Sequence, residues 1–299
     1  MSEEVDSLIE QGQKALDKGD FKGATTRFNK AIAIEPDNAE AHFGRAEAAI
    51  GLPKLTLVDV AGYYRKAIEL APDNAFFLTS YGEFCLSHGL LPQAVQQYEK
   101  AAEIDPENAH LYYSDLALGY FHNGLEFIDR QADMSEEAIT RNALTYYLKA
   151  FSIPDDKADG LLLRVCGEKN RLTRPDKKKA EAQKEAIRKA KDEVVLELLR
   201  SLEAEPRNPM TLISLGQHCI ENGSLDAGVD YFLTAAQMDE DNAPFFFNDL
   251  STAIYAAGGA PKGAAPGDDV VARSLCFALN ALGYLEGERA RELLASRKK

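Results

Sequence analysis

The chain has 299 residues, 45% hydrophobic and 27% charged, the profile of a folded protein rather than a disordered one. Its formal net charge of −14 argues against general nucleic-acid binding, which needs Lys and Arg in excess, and favours basic partners through long-range attraction. Four isolated cysteines (Cys85, Cys166, Cys219, Cys276) form no CxxC pair, no segment is apolar enough to span a bilayer, and Met1-Ser2-Glu3-Glu4 lacks the character of a signal peptide. A reducing, cytoplasmic setting without membrane contact is the expectation.

Six turn signatures punctuate the chain: Pro36-Asp37-Asn38, Pro72-Asp73-Asn74, Pro106-Glu107-Asn108, Pro154-Asp155-Asp156, Pro206-Arg207-Asn208 and Glu240-Asp241-Asn242. Their last residues stand 36, 34, 48, 52 and 34 positions apart. A period of 34 with insertions marks an array of helical repeats, none of which buries its apolar face alone. Each unit reads as two amphipathic helices. The first carries Leu8, Gly12, Ala15, Gly19, Ala24, Phe28 and Ala31 at helical spacing. The second has Ala46 in place of the glycine and a turn lengthened around Gly51-Leu52-Pro53. The third matches the first without a gap, as Leu78, Gly82, Cys85, Gly89, Ala94, Tyr98 and Ala101. The fourth has a first helix over 109–123, a polar insertion over 124–136 and a second helix marked by Ala143, Tyr147 and Ala150.

The fifth unit is irregular and the sixth regular, with Leu212, Gly216, Cys219, Gly223, Gly228, Phe232 and Ala235. The seventh has a Gly/Pro-rich loop over 258–267, and a last helix over 285–296 would cap the stack. Gly12, Gly82 and Gly216 permit close approach of paired helices, and Gly19, Gly89 and Gly223 end first helices where φ > 0 is wanted. This pattern resembles the tetratricopeptide repeat. The resemblance implies an all-α fold, a right-handed α-solenoid of about seven helix–turn–helix repeats with a C-terminal capping helix. The expected organisation is an N-terminal array over 1–154, an irregular fifth repeat with a long basic helix over 155–205, and a C-terminal array over 206–299.

In arrays of that family the first helix of each pair lines a concave groove. Carried onto this chain, that places Asp17, Phe43, Glu47, Phe76, Glu83, His110, Tyr113, Tyr120, Phe121, Phe247 and Tyr255 on the partner-binding face. The groove is acidic at its N-terminal end and aromatic in the middle, suited to a peptide or helix with apolar anchors and basic residues. Phe76, Tyr113, Tyr120 and Phe121 are the expected anchors, with Asp17, Glu47 and Glu83 selecting cations. Packing between neighbouring repeats is the other reading of each aromatic. Co-chaperones of the carboxylate-clamp type hold a terminal carboxylate with cations and asparagines. The matching places here are Ile9, Gln13, Gly44, Phe76 and Ser80, so that clamp is absent.

Residues 166–193 change sign, holding ten Lys or Arg against six acids. Lys177, Lys178, Lys179, Lys184, Arg188, Lys189 and Lys191 belong to this basic arm, a predicted helix over 177–193 with little apolar surface. Three readings stay open: a solvated extension of the fifth repeat, a local nucleic-acid contact, or a contact to the acidic groove of another copy that builds homo-oligomers. The sequence holds no GxxxxGK[ST], GxGxxG or GxSxG, and its five histidines lack a metal-ligand spacing. No catalytic residue, metal or cofactor is expected. The leading expectation is a non-enzymatic adaptor; the alternatives are a self-assembling scaffold or an RNA-associated factor acting through the basic helix.

Overall fold

A computed structural model describes residues 3–130, 134–190, 192–259, 266–284 and 286–296. Among these the regular structure is entirely helical. The chain divides into two compact units, Met1–Glu107 and Asn108–Lys299, a boundary that falls inside the stretch the turn signatures group as 1–154.

Unit 1 is three helical hairpins in chain order: α1 (Glu3–Leu16) with α2 (Phe21–Ile34), α3 (Ala39–Ile50) with α4 (Leu57–Leu70), and α5 (Ala75–Ser87) with α6 (Leu91–Ile104). The turn signatures work as helix starts. Asn38 and Asn74 are N-caps whose side-chain oxygens accept from the N–H groups of Ala41 and Phe77 at 2.9 and 3.2 Å. Thr56 and Asp59 form a reciprocal capping box at the start of α4. Gly19 and Gly89 end α1 and α5 at φ 71° and 72°, the left-handed backbone that their spacing predicts.

The glycines inside the first helices answer to aromatic rings on the second. The ring of fully buried Phe28 lies against both Gly12 and Gly44; a Cβ on Gly12 would stand 2.6 Å from it. Tyr98 closes over Gly82 and Phe232 over Gly216 in the same way, at 2.7 and 2.6 Å. Gly44→Val therefore forces Phe28 off its site and lowers the stability of unit 1 by about 1–3 kcal/mol, read as a shift of the first transition in urea.

Unit 2 begins with α7 (Ala109–Glu126), which runs past the predicted end at Asn123 into a 3₁₀ turn, Ile128–Arg130. Residues 131–133 of the predicted insertion lie outside the described residues. The remaining helices are α8 (Glu136–Ala150), α9 (Asp155–Gly167), α10 (Lys169–Thr173), α11 (Lys177–Ala190), α12 (Glu193–Ala204), α13 (Pro209–Glu221), α14 (Leu225–Met238), α15 (Ala243–Gly258), α16 (Asp268–Ala281) and α17 (Gly287–Ser296). Residues 260–265 of the seventh repeat's loop, Lys191 of the arm and Leu285 at the predicted start of the last helix also lie outside the described residues.

Hairpins here do not stack in chain order. The pair α15/α16 packs on α13/α14, its sequence neighbour, and also directly on α7/α8. Buried Asn248 of α15 accepts from the Tyr147 hydroxyl of α8 at 2.9 Å and donates to the Asp115 carboxylate of α7 at 3.3 Å. Repeat four thus neighbours repeat seven, while α9 and α10 cross over α16. The last helix, α17, covers α8, and the Thr140 and Tyr284 hydroxyls share a hydrogen bond of 2.7 Å beside it.

The basic arm is a docked helix. Lys177 and Lys184 of α11 both pair with Asp230 of α14, and Lys179 pairs with Asp226 at 2.9 Å. Gln183 accepts from the Ala227 N–H at 3.0 Å, and the Lys184 ammonium lies 4.7 Å from the centre of the Tyr231 ring. The expectation of a helix projecting into solvent is corrected by these contacts: α14 supplies two buried carboxylates that the basic side chains neutralise. Lys178, Arg188 and Lys189 remain on the exposed side, with Lys189 paired to Glu185 at 2.6 Å.

Candidate functional site

The sequence-predicted residues fall into two groups that the units hold separately. In unit 1, Phe43 and Glu47 stand one turn apart on α3, and Phe76 and Glu83 two turns apart on α5. Phe76 is 63% exposed, a large apolar ring left in solvent. It lies 5.3 Å from the half-buried Phe43 ring, which stacks on buried Phe77 at 4.5 Å and 10° and meets Tyr64 edge-on at 6.0 Å. Tyr64 continues inward, 5.4 Å from Tyr81 and 5.5 Å from Phe84. An exposed aromatic therefore rests on a packed aromatic foundation, which fixes its position at little entropic cost.

Glu47 is half-buried beside these rings, and its carboxylate accepts a hydrogen bond from the Tyr64 hydroxyl. Burial raises the Glu47 carboxyl above its ordinary value of 4.5, the Tyr64 hydrogen bond opposes that rise, and the charge of Glu83 adds to it. Glu83 is exposed, and no Lys or Arg among the described residues pairs with either carboxylate. Asp17 is exposed near the end of α1, where Gln13 donates to it at 3.4 Å; nothing groups it with the Phe43 and Phe76 rings.

The sign of the Glu47 effect is testable. A carboxyl whose value is raised on folding binds its proton more tightly in the folded state, so stability falls as pH rises through the window above 4.5. Glu47→Gln keeps an acceptor for Tyr64 and removes the charge. The urea midpoint of unit 1 in the variant is expected to fall less than that of the wild type between pH 4.5 and about 7.

In unit 2 the predicted anchors divide. Tyr120 and Phe121 are 5% and 7% exposed, and the expectation that they face a guest is corrected. Asn142 donates to the Tyr120 hydroxyl at 2.9 Å, Tyr146 meets that ring edge-on, and Phe121 meets Tyr284 at 5.4 Å. They are core because α8 and the segment before α17 close over this end of α7. Tyr113 stays half-buried under the Lys149 ammonium, 5.3 Å from its ring centre. Phe247, also half-buried, stacks 6.3 Å from Phe277. His110 lies 5.7 Å from Tyr255, which in turn lies 5.1 Å from Phe151. Tyr255 and Phe151 line a cleft of about 460 Å³ with Ile153, Leu161 and Val271, and Arg164 at its edge.

Tyr64, which meets Phe43 and holds the Glu47 carboxylate, is the residue of this face that the groove geometry missed, because it belongs to a second helix. Its signal was present: it occupies the place in repeat two that Phe28 occupies in repeat one. The cysteines carry no reactive thiol signature. Burial pushes Cys85 and Cys219 up to about 11 and Cys276 up to about 12. Among the described residues no group of three or more His, Cys, Asp or Glu could hold a metal ion, and no helix is long and apolar enough to cross a membrane.

Paired helices with aromatic rings seated over glycines, repeated along the chain, define a helical-repeat scaffold. Residues 12–49 match a family described as TPR repeat and residues 61–109 one described as tetratricopeptide repeat, so the chain carries tetratricopeptide repeats over those residues. Such repeats bind other proteins, and the chain is an interaction scaffold in that general sense. No curated protein matches it. Among solved structures, a tetratricopeptide repeat protein from Parabacteroides merdae is 15% identical with a TM-score of 0.38, each chain covered in full. A Thermobaculum terrenum O-GlcNAc transferase mutant is 18% identical over 50% of this chain, TM-score 0.38, and yeast Tom70 is 19% identical over 83%, TM-score 0.37. The chain spans 27% of the transferase and 53% of Tom70, likenesses too distant to speak for what it binds.

Proposed function

We propose that the chain is a non-enzymatic adaptor that holds a peptide or helix of another protein on the face of unit 1 formed by α3 and α5. The observation that carries this reading is Phe76, an exposed ring on α5 supported by Phe43 of α3, on helices whose Glu47 and Glu83 have no Lys or Arg partner among the described residues. An apolar side chain of the guest gains by covering Phe76, since burial is worth about 25 cal/mol per Å² of apolar surface. Lys or Arg of the guest gains by meeting Glu47 and Glu83, whose like charges are otherwise left to oppose each other. The acidic net charge steers a basic guest towards the scaffold over longer distances.

The docked position of α11 weighs against the two alternatives, because Lys177, Lys179 and Lys184 are engaged within the chain rather than offered to a nucleic acid or a second copy. The test is affinity capture from native lysate with the wild type beside Phe43→Ala/Phe76→Ala, read by mass spectrometry. A protein recovered by the wild type and lost by the variant supports the reading; equal recovery of every protein by both overturns it.

A further inference from the structure

Resting on the reading that a basic guest docks on this face, we propose that Phe43, Phe76, Glu47 and Glu83 form a seat selective for an arginine side chain of the guest. Glu47 is held against aromatic rings by the Tyr64 hydroxyl, which satisfies part of its accepting capacity. Glu83 sits close enough that its charge opposes ionisation of Glu47. The cations nearest in sequence are used elsewhere or are not bound to these carboxylates. Arg45 points to another side of α3, where it donates to Asn29 at 3.1 Å and Tyr63 at 3.2 Å, and Lys66 pairs with Glu69 at 3.1 Å. Two carboxylates from two helices therefore share a place for one positive charge that no described residue fills.

The aromatic wall decides which cation fits. A guanidinium is planar, lays its face on a ring and spreads five N–H donors in a fixed fork, so that one group can stack on Phe76 or Phe43 and donate to carboxylates on both α3 and α5. An ammonium is a compact, strongly hydrated charge that gains less from the ring and loses more water on reaching the half-buried Glu47. Unit 1 already shows the ring-stacking half of the arrangement, without the carboxylates: the Arg45 guanidinium carbon lies 4.2 Å from the Tyr63 ring centre while its N–H groups donate to Asn29 and the Tyr63 hydroxyl. The guest is thus a protein segment with an arginine spaced from an apolar residue, the first for the carboxylates and ring face, the second for the rest of Phe76.

The experiment pans a random dodecapeptide phage library on the full chain, with Phe43→Ala/Phe76→Ala as the counter-selection. The strongest peptide is then resynthesised with lysine in place of each arginine. The expected consensus pairs one arginine with one apolar residue at fixed spacing. Replacement of that arginine by lysine weakens binding by about tenfold or more, and the peptide loses a similar factor on a Glu47→Gln/Glu83→Gln chain. A consensus without arginine, equal binding of the lysine peptide, or full binding to the Glu→Gln chain overturns the arginine seat while leaving the docking face in place. Failure to recover any peptide that depends on Phe43 and Phe76 overturns the docking reading and the seat together.

Discussion

Asp230→Ala is expected to release α11 from α14 and to lower the stability of unit 2 by about 1–3 kcal/mol. The Asp230 side chain is 8% exposed and that of Lys184 is 12% exposed, so this pair is buried rather than superficial. Burial pushes the Asp230 carboxyl up, but Lys177 and Lys184 outweigh it and hold the group below its ordinary value. Lys177 is 75% exposed and its share is screened, so the loss is governed by Lys184. Truncating Asp230 leaves that half-enclosed ammonium with only the exposed Glu181, 3.1 Å away, as counter-charge, at the site where Gln183 and Lys179 also reach α14. A carboxyl depressed on folding contributes stability above its unfolded value and loses it as pH falls through the folded value. The docked arm therefore loosens in acid, below the ordinary aspartate value of 3.8. Urea unfolding with hydrogen exchange over 177–190 measures the effect; wild-type protection in Asp230→Ala means that the arm is held by its apolar contacts instead. Replacing both partners, Asp230→Leu with Lys184→Met, is expected to recover most of the loss, since the cost lies in the half-buried charge left with a single exposed partner.

The second large effect is on binding. Phe43→Ala with Phe76→Ala is expected to weaken capture of a purified guest by about a hundredfold, because truncating a central aromatic anchor costs about 2 kcal/mol or more and two rings in contact do not contribute additively. Phe76 is exposed and its loss costs the fold little; Phe43 stacks on Phe77, so its truncation also loosens the foundation of the face. Circular dichroism and the urea midpoint separate the two contributions. Phe76→Ala alone leaves both within error of the wild type while carrying most of the binding loss. A single variant that binds as well as the wild type places the guest elsewhere.

The local grammar of this chain is legible in its sequence. The aromatic at 28, 98 and 232 and the glycine at 12, 82 and 216 are found in contact, and Gly19, Gly89 and Gly223 adopt the positive φ that their spacing implies. These features act within one hairpin, where the period sets the neighbours. The Phe43–Phe76 face was equally readable, because α3 and α5 belong to consecutive repeats. What was not legible lies in unit 2, where neighbours come from distant parts of the chain. Asn248 meets Tyr147 across 101 residues and Lys184 meets Asp230 across 46, pairings that no periodicity encodes. The helical wheel of α7 gives Tyr113, Tyr120 and Phe121 similar standing. Closure by α8 and by Tyr284 decides that the last two are core, and that closure depends on the order in which repeats four and seven stack.

A guest docked on this face covers Phe76. The most direct test installs the photo-cross-linker p-benzoyl-phenylalanine at position 76 of the full chain, with position 58 as the control, since Val58 is 73% exposed on α4 of the same unit. After irradiation in cells, a discrete adduct from position 76, absent from position 58 and reduced by Glu47→Gln/Glu83→Gln, is the predicted result. Equal adducts from both positions, or none from position 76, would contradict the account.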